Sequence, residues 1–106
     1  MRPCPPPHPA PSKPAHALPP GACDGHCHVF GPAARFPFSA TRAYTPGDIP
    51  KEALFALHDH LGIDRRVIVQ ASCHGTDNTA LLDALRARPD SSRGVAALAD
   101  DVTEAE

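Results

Sequence analysis

Two apolar runs, "RRVIVQAS" (65–72) and "RGVAALAD" (93–100), alternate with two stretches of helical periodicity. That alternation restricts the chain to an α/β arrangement, because strands spaced by crossover helices pair in parallel. The first helical stretch is "DIPKEALFALHDHLG". Asp48 is placed to cap it, Pro50 suits its first turn, and Gly62 suits a left-handed exit. Leu54, Leu57 and Leu61 make one apolar stripe. The second is "TDNTALLDALRARP", with Thr76 or Asp77 as cap, Pro89 as stop, and Leu81, Leu82 and Leu85 as its buried face. An earlier strand spans Ala22 to Phe30 and ends at Gly31-Pro32, and "DVTEAE" reads as the first turn of a third helix. A parallel sheet needs cover on both faces and neighbours at both edges. A closed TIM-like (β/α)8 barrel takes ~250 residues and a doubly wound sheet also needs more strands, so residues 21–106, about three β/α units, are expected to be the N-terminal part of such a fold. On this expectation the 106-residue chain is a fragment that neither folds stably nor catalyses alone.

Residues 1–20 are different in kind. Nine of the 14 prolines fall there, with almost no apolar side chains beyond Ala and Pro. Such a segment buries too little surface to offset chain entropy, so a disordered, polyproline-like tail is expected. No apolar run follows Arg2 as in a signal peptide, and none reaches membrane-spanning length. The expectation is a cytoplasmic protein with no membrane partner. A formal charge of −2, one Tyr and no Trp leave neither a basic face nor stacking platforms for nucleic acid. Four cysteines without a secretory signal suggest free thiols rather than a disulfide framework.

The chemistry concentrates in "GACDGHCHVFGP". Strand alternation points His26 and His28 to one side, with Asp24 below them, and turns Cys23, Cys27 and Val29 to the other. At the C-terminal end of a barrel strand, both imidazoles would face the mouth where such active sites lie, while Cys27 would pack as a small hydrophobe. By the same alternation Ile68, Gln70 and Ser72 share the expected inner face of the second strand. A zinc knuckle from Cys23, His26, Cys27 and Cys73 lacks the spacing of structural zinc sites. His58 and His60, two apart on a helix, do not share a face and are expected to be solvated. His74 reads as a loop-surface residue.

From Gly21 onward, "DGHCHVFGP", "FPFS", Tyr44, "LFALHDHLG" and "VIVQASCHGTDN" resemble the amidohydrolase superfamily and, within it, the 2-pyrone-4,6-dicarboxylate hydrolases, which usually carry Ala where Gly25 stands. The resemblance implies a distorted (β/α)8 barrel. It also implies hydrolysis of a dicarboxylate lactone to 4-oxalomesaconate, a step in the breakdown of lignin-derived aromatics by protocatechuate 4,5-cleavage. His26 and His28 then become catalytic and substrate-binding groups around the lactone carbonyl, with Tyr44 and Ser72 as substrate-binding donors. The general base, a further His and the arginine clamps would come from strands beyond this chain. That branch implies no cofactor, whereas the wider superfamily's H-x-H implies zinc as the alternative. Two other functions compete: another amidohydrolase-type enzyme, such as a metal-dependent decarboxylase or a different lactonase, and a non-enzymatic module whose Pro-rich segment binds SH3-type domains.

Overall fold

The computed structural model describes residues 2–103. Its elements are β1 (Arg2–Pro3), β2 (Cys23–Cys27), β3 (Tyr44–Thr45), α1 (Lys51–Leu61), β4 (Arg65–Val69), a 3-10 turn (Ser72–His74), α2 (Thr79–Ala87) and β5 (Ser92–Val95). Strands β2, β4 and β5 form one parallel sheet in that order, and β1 pairs in parallel with β3. The α/β class with a parallel sheet is therefore as the sequence indicates. Asp101–Thr103 contain no helix, and the rest of the expected third helix lies outside the described residues.

The core sits between the sheet and the two helices. Val29, Phe36, Leu54, Phe55, Ile68, Ala80, Leu81 and Ala84 make one buried cluster with Cys27. Three expectations about its faces are corrected. On α1 the buried residues are Leu54, Phe55 and His58, while Leu57 is exposed. On α2 they are Ala80, Leu81 and Ala84, and Leu82 faces water. On β4 it is Arg66 and Ile68 that point to the helices; Val67 and Val69 are half-buried on the other face. The error on β4 has a simple cause. The strand ends at Val69, so Gln70 and Ser72 lie beyond the regular alternation and do not report its inner face. Gln70 instead donates to the carbonyls of Gly75 and Asp77, bracing the turn that follows.

The helix ends show which capping signals act. Gly62 takes the left-handed conformation (φ 78°) and donates its N–H to the His58 carbonyl, as expected. Asp48 does not cap α1, which starts after Pro50 without a side-chain cap; its carboxylate accepts from the Ala33 N–H at 2.9 Å, closing the loop after Gly31. That closure requires Gly31: φ is 68°, and a Cβ there would lie 2.7 Å from Asp48 Oδ1. Asp77 accepts from the N–H and hydroxyl of Thr79 at the start of α2, and these bonds hold its carboxyl below the usual range.

Residues 4–20 form no helix or strand and are exposed. They are nevertheless tied to the domain. The Cys4 N–H donates to the Thr45 carbonyl, and His60 donates to the Pro11 carbonyl at 2.9 Å. No helix among the described residues is long and apolar enough to cross a membrane.

Candidate active site

Strand β2 carries an irregularity that the sequence does not announce. Cys23 pairs with Arg65 and Asp24 with Arg66, but Cys27 pairs with Ile68, so β2 holds one extra residue between Asp24 and Cys27. Such a bulge breaks the two-residue period and re-aims the side chains around it. His26 and His28 remain together, as expected, with ring centroids 5.1 Å apart and planes at 82°. Asp24 does not stay below them. Its carboxylate turns to the helix side and accepts from His58 Nε2 at 2.9 Å. Gly25, in the bulge, has open space around the position of a Cβ, so glycine here in place of the usual alanine removes no contact.

His28 is half-buried and its Nδ1 lies 2.8 Å from the Val69 carbonyl. A carbonyl only accepts, so Nδ1 carries the proton and Nε2 is left for chemistry. The bond locks the ring to the end of β4, where barrel chemistry is sited. His26 is exposed beside it. His28 also borders a cleft of ≈ 650 Å³ between the Pro7–Pro11 stretch and Ile49, Ala53 and Leu57 of the opposite wall. Tyr44 and Ser72 form a second pair. Tyr44 lies close to Ser72 and Cys73, and burial pushes its pKa up, so it stays a neutral donor. Ser72 is exposed and stands three residues beyond Val69, the anchor of His28. Of the two nearby arginines, Arg42 bonds Thr45 and the Ser39 carbonyl, and Arg35 pairs with Asp83.

Two histidines read as peripheral are structural. His74 is 3% exposed. Its Nε2 accepts from the Gly31 N–H at 3.1 Å and its Nδ1 faces the Pro37 carbonyl at 3.3 Å, one neutral tautomer joining two loops. His58 is 1% exposed rather than solvated. Its Nδ1 accepts from Arg66 Nε at 2.9 Å, so its Nε2 must carry the proton given to Asp24. Arg66 is itself buried; burial pulls its pKa down, and its guanidinium also donates to the hydroxyls of Ser91 and Ser92. The signal available in the sequence was an Arg at the start of an apolar strand, which ordinary patterning assigns to solvent.

Asp24, Cys27 and His58 bring their ligand atoms within 4.8 Å of one another. The donor set does not suit a cation. Both His58 nitrogens are committed to hydrogen bonds. Cys27 Sγ donates to the Val67 carbonyl at 3.3 Å, and burial, with the Asp24 carboxylate second, pushes its thiol up to about 12. A metal ligand must be a thiolate. Among the described residues His26 and His28 have no third ligand beside them, since Asp24 has turned away; a catalytic zinc takes three protein ligands.

The Cys27 thiol gives a direct test. An ordinary cysteine ionises near 9.0, whereas the folded one keeps its proton to about 12. The stability this lends is complete below 9 and is lost as pH rises from there towards 12. In a folded protein carrying the segment, iodoacetamide at pH 8 is expected to label exposed Cys4 and Cys23 but not buried Cys27 and Cys73. Rapid native labelling of Cys27 would contradict its placement.

The chain is an α/β protein whose parallel sheet carries an H-x-H pair at a strand end, and comparison supplies the family. The amidohydrolase family profile matches residues 23–106, so the chain belongs to that family. It is 53% identical over 96 residues to a 2-pyrone-4,6-dicarboxylate hydrolase of Comamonas testosteroni, covering 91% of this chain and 32% of the relative. A 4-sulfomuconolactone hydrolase of Hydrogenophaga intermedia is 44% identical over 86 residues, covering 81% and 28%. Among solved structures, a probable 2-pyrone-4,6-dicarboxylic acid hydrolase of Acinetobacter baumannii with citric acid bound superposes with a TM-score of 0.72 at 28% identity, covering 78% of this chain and 31% of that one. A similar Pseudomonas putida protein gives a TM-score of 0.63 at 39% identity, covering 83% and 32%. The chain thus spans about a third of the length of these relatives.

Proposed function

We propose that this chain supplies the first part of a lactone hydrolase acting on 2-pyrone-4,6-dicarboxylate and yielding 4-oxalomesaconate, with residues 21–106 forming the opening units of a (β/α)8 barrel behind a Pro-rich leader of residues 1–20. The observation that carries the proposal is the His26–His28 pair, aimed together at the end of β2 with His28 fixed to the end of β4. Water attacking a lactone carbonyl builds an oxyanion, and each pre-aimed donor there contributes ~10²–10³ in rate. His26 and His28 are the catalytic residues and also bind the carbonyl: His26 donates to the oxyanion, whereas His28, its Nδ1–H held by Val69, donates from Nε2 only with a second proton. Tyr44 and Ser72, close together at the next turn, bind the substrate's oxygens. The citric acid held by the Acinetobacter baumannii relative is a polycarboxylate and fits a site built for carboxylates. The proton of the attacking water goes to a general base contributed by the rest of the barrel.

We propose that the reaction runs without a metal or other cofactor, zinc being the alternative. Support comes from the resemblance of the sequence flanking the imidazole pair to the pyrone hydrolases. The test uses a complete chain: residues 1–106 joined to the C-terminal two thirds of the Comamonas testosteroni relative. Turnover is expected to survive exhaustive chelation with no stoichiometric zinc in the protein. Loss on chelation and recovery with zinc would favour a metal-dependent member of the family.

A further inference from the structure

We infer that Asp24, His58 and Arg66 form a positioning relay, buried at Arg66 and His58 and half-buried at Asp24, that fixes the His26–His28 pair. The inference rests on the reading of those two histidines as site residues. The relay begins at Arg66, whose Nε–H donates to His58 Nδ1 at 2.9 Å. His58 Nε2–H donates to Asp24 Oδ2 at 2.9 Å. The other Asp24 oxygen, Oδ1, accepts the His26 backbone N–H at 3.2 Å, inside the bulge of β2. A cation, a neutral imidazole and a carboxylate thus run from β4 through α1 to the peptide between the bulge and the H-x-H. Each link dictates the next. Arg66 has only donors, so His58 must accept at Nδ1 and give at Nε2, and only a carboxylate satisfies both His58 and the His26 amide.

Burial makes the arrangement exacting. The His58 side chain is 1% exposed and Arg66 is 2% exposed, so neither can exchange its partner for water. The guanidinium is held at its far end by Ser91 and Ser92 and lies 5.0 Å over the Phe55 ring, which pins the relay to the core. A bulge leaves an extra residue out of the regular ladder, and here the carboxylate takes up the freed amide. The direction in which His26 and His28 leave the strand therefore depends on the protonation and place of three side chains that never touch substrate. Small errors of placement at a reacting centre cost ~10²-fold.

The experiment uses the complete joined chain with Asp24→Asn, His58→Phe, the double variant, and Leu81→Ala as a core control on α2. In Asp24→Asn, whichever way the amide turns, its NH2 meets a donor, either His58 Nε2–H or the His26 N–H. Both single variants are expected to lose kcat by at least ~10-fold with KM within about threefold. The double variant should be no worse than the poorer single, because linked groups act as a unit. Leu81→Ala should lower Tm comparably yet leave kcat within about twofold, separating positioning from stability. Hydrogen exchange at the His26 amide, which needs no turnover, should accelerate by at least ~10-fold in His58→Phe while β4 amides keep their protection. If the parent chain lacks lactonase activity, the functional reading fails and the exchange result still decides the relay. Unchanged kcat in a folded Asp24→Asn variant, or unchanged exchange at His26, would overturn it; should His58→Phe not fold, Asp24→Asn exchange decides in the same way.

Discussion

Replacing His26 with alanine in the complete joined chain is expected to lower kcat by at least ~100-fold, as removal of an oxyanion donor does, and His28→Ala by a similar factor, since it removes the ring fixed against the carbonyl. The expectation follows from geometry. His28 spends Nδ1–H on the Val69 carbonyl at 2.8 Å, so its ring cannot swing and Nε2 points to a set place. His26 packs edge-on against it at 5.1 Å. Truncating either ring also frees its neighbour, so the two losses should not add. Steady-state kinetics decide the matter, and turnover within about threefold of the parent in either variant would remove the pair from the chemistry.

The second large effect concerns the 106-residue chain alone. It is expected to show no cooperative thermal transition and to bind a hydrophobic dye, whereas the joined chain melts cooperatively. The sheet has helices on one face only. On the other side Val67 and Val69 are half-buried, and beyond them Val95 is 51% and Leu98 59% exposed. Parallel sheets occur almost only with both faces covered. Strands β2 and β5 each pair on one edge only within the described sheet, and each residue ordered costs about 1–2 kcal/mol in backbone entropy. Differential scanning calorimetry reads this directly; a sharp transition from the isolated chain would contradict it.

Much of this architecture was legible in the sequence because its signals are local. β-Branched runs marked β4 and Gly62 marked the end of α1, whereas the first strand stops at Cys27, short of the expected Phe30 and Gly31-Pro32. The pairing of His26 with His28 followed from a two-residue period that survives locally. What escaped was set by long-range pairing. The bulge in β2 depends on how Cys27 registers with Ile68, forty-one residues away, and no residue type at Gly25 demands it. Without the bulge Asp24 seems to belong with the histidines; with it, Asp24 serves His58. His58 was read as solvated because polar residues usually are, and Arg66 gave no signal of burial. Each is buried only because the other, with Asp24, Ser91 and Ser92, satisfies it. Polar groups that pay for burial through distant partners leave no periodic trace.

The central claim is that this chain provides the H-x-H corner of a lactone hydrolase site. The most direct measurement is the loss of pyrone absorbance when residues 1–106, joined to the C-terminal two thirds of the Comamonas testosteroni relative, meet 2-pyrone-4,6-dicarboxylate. The account predicts saturable hydrolysis that disappears with His28→Ala. A cooperatively folded joined chain with no turnover of that lactone would contradict it.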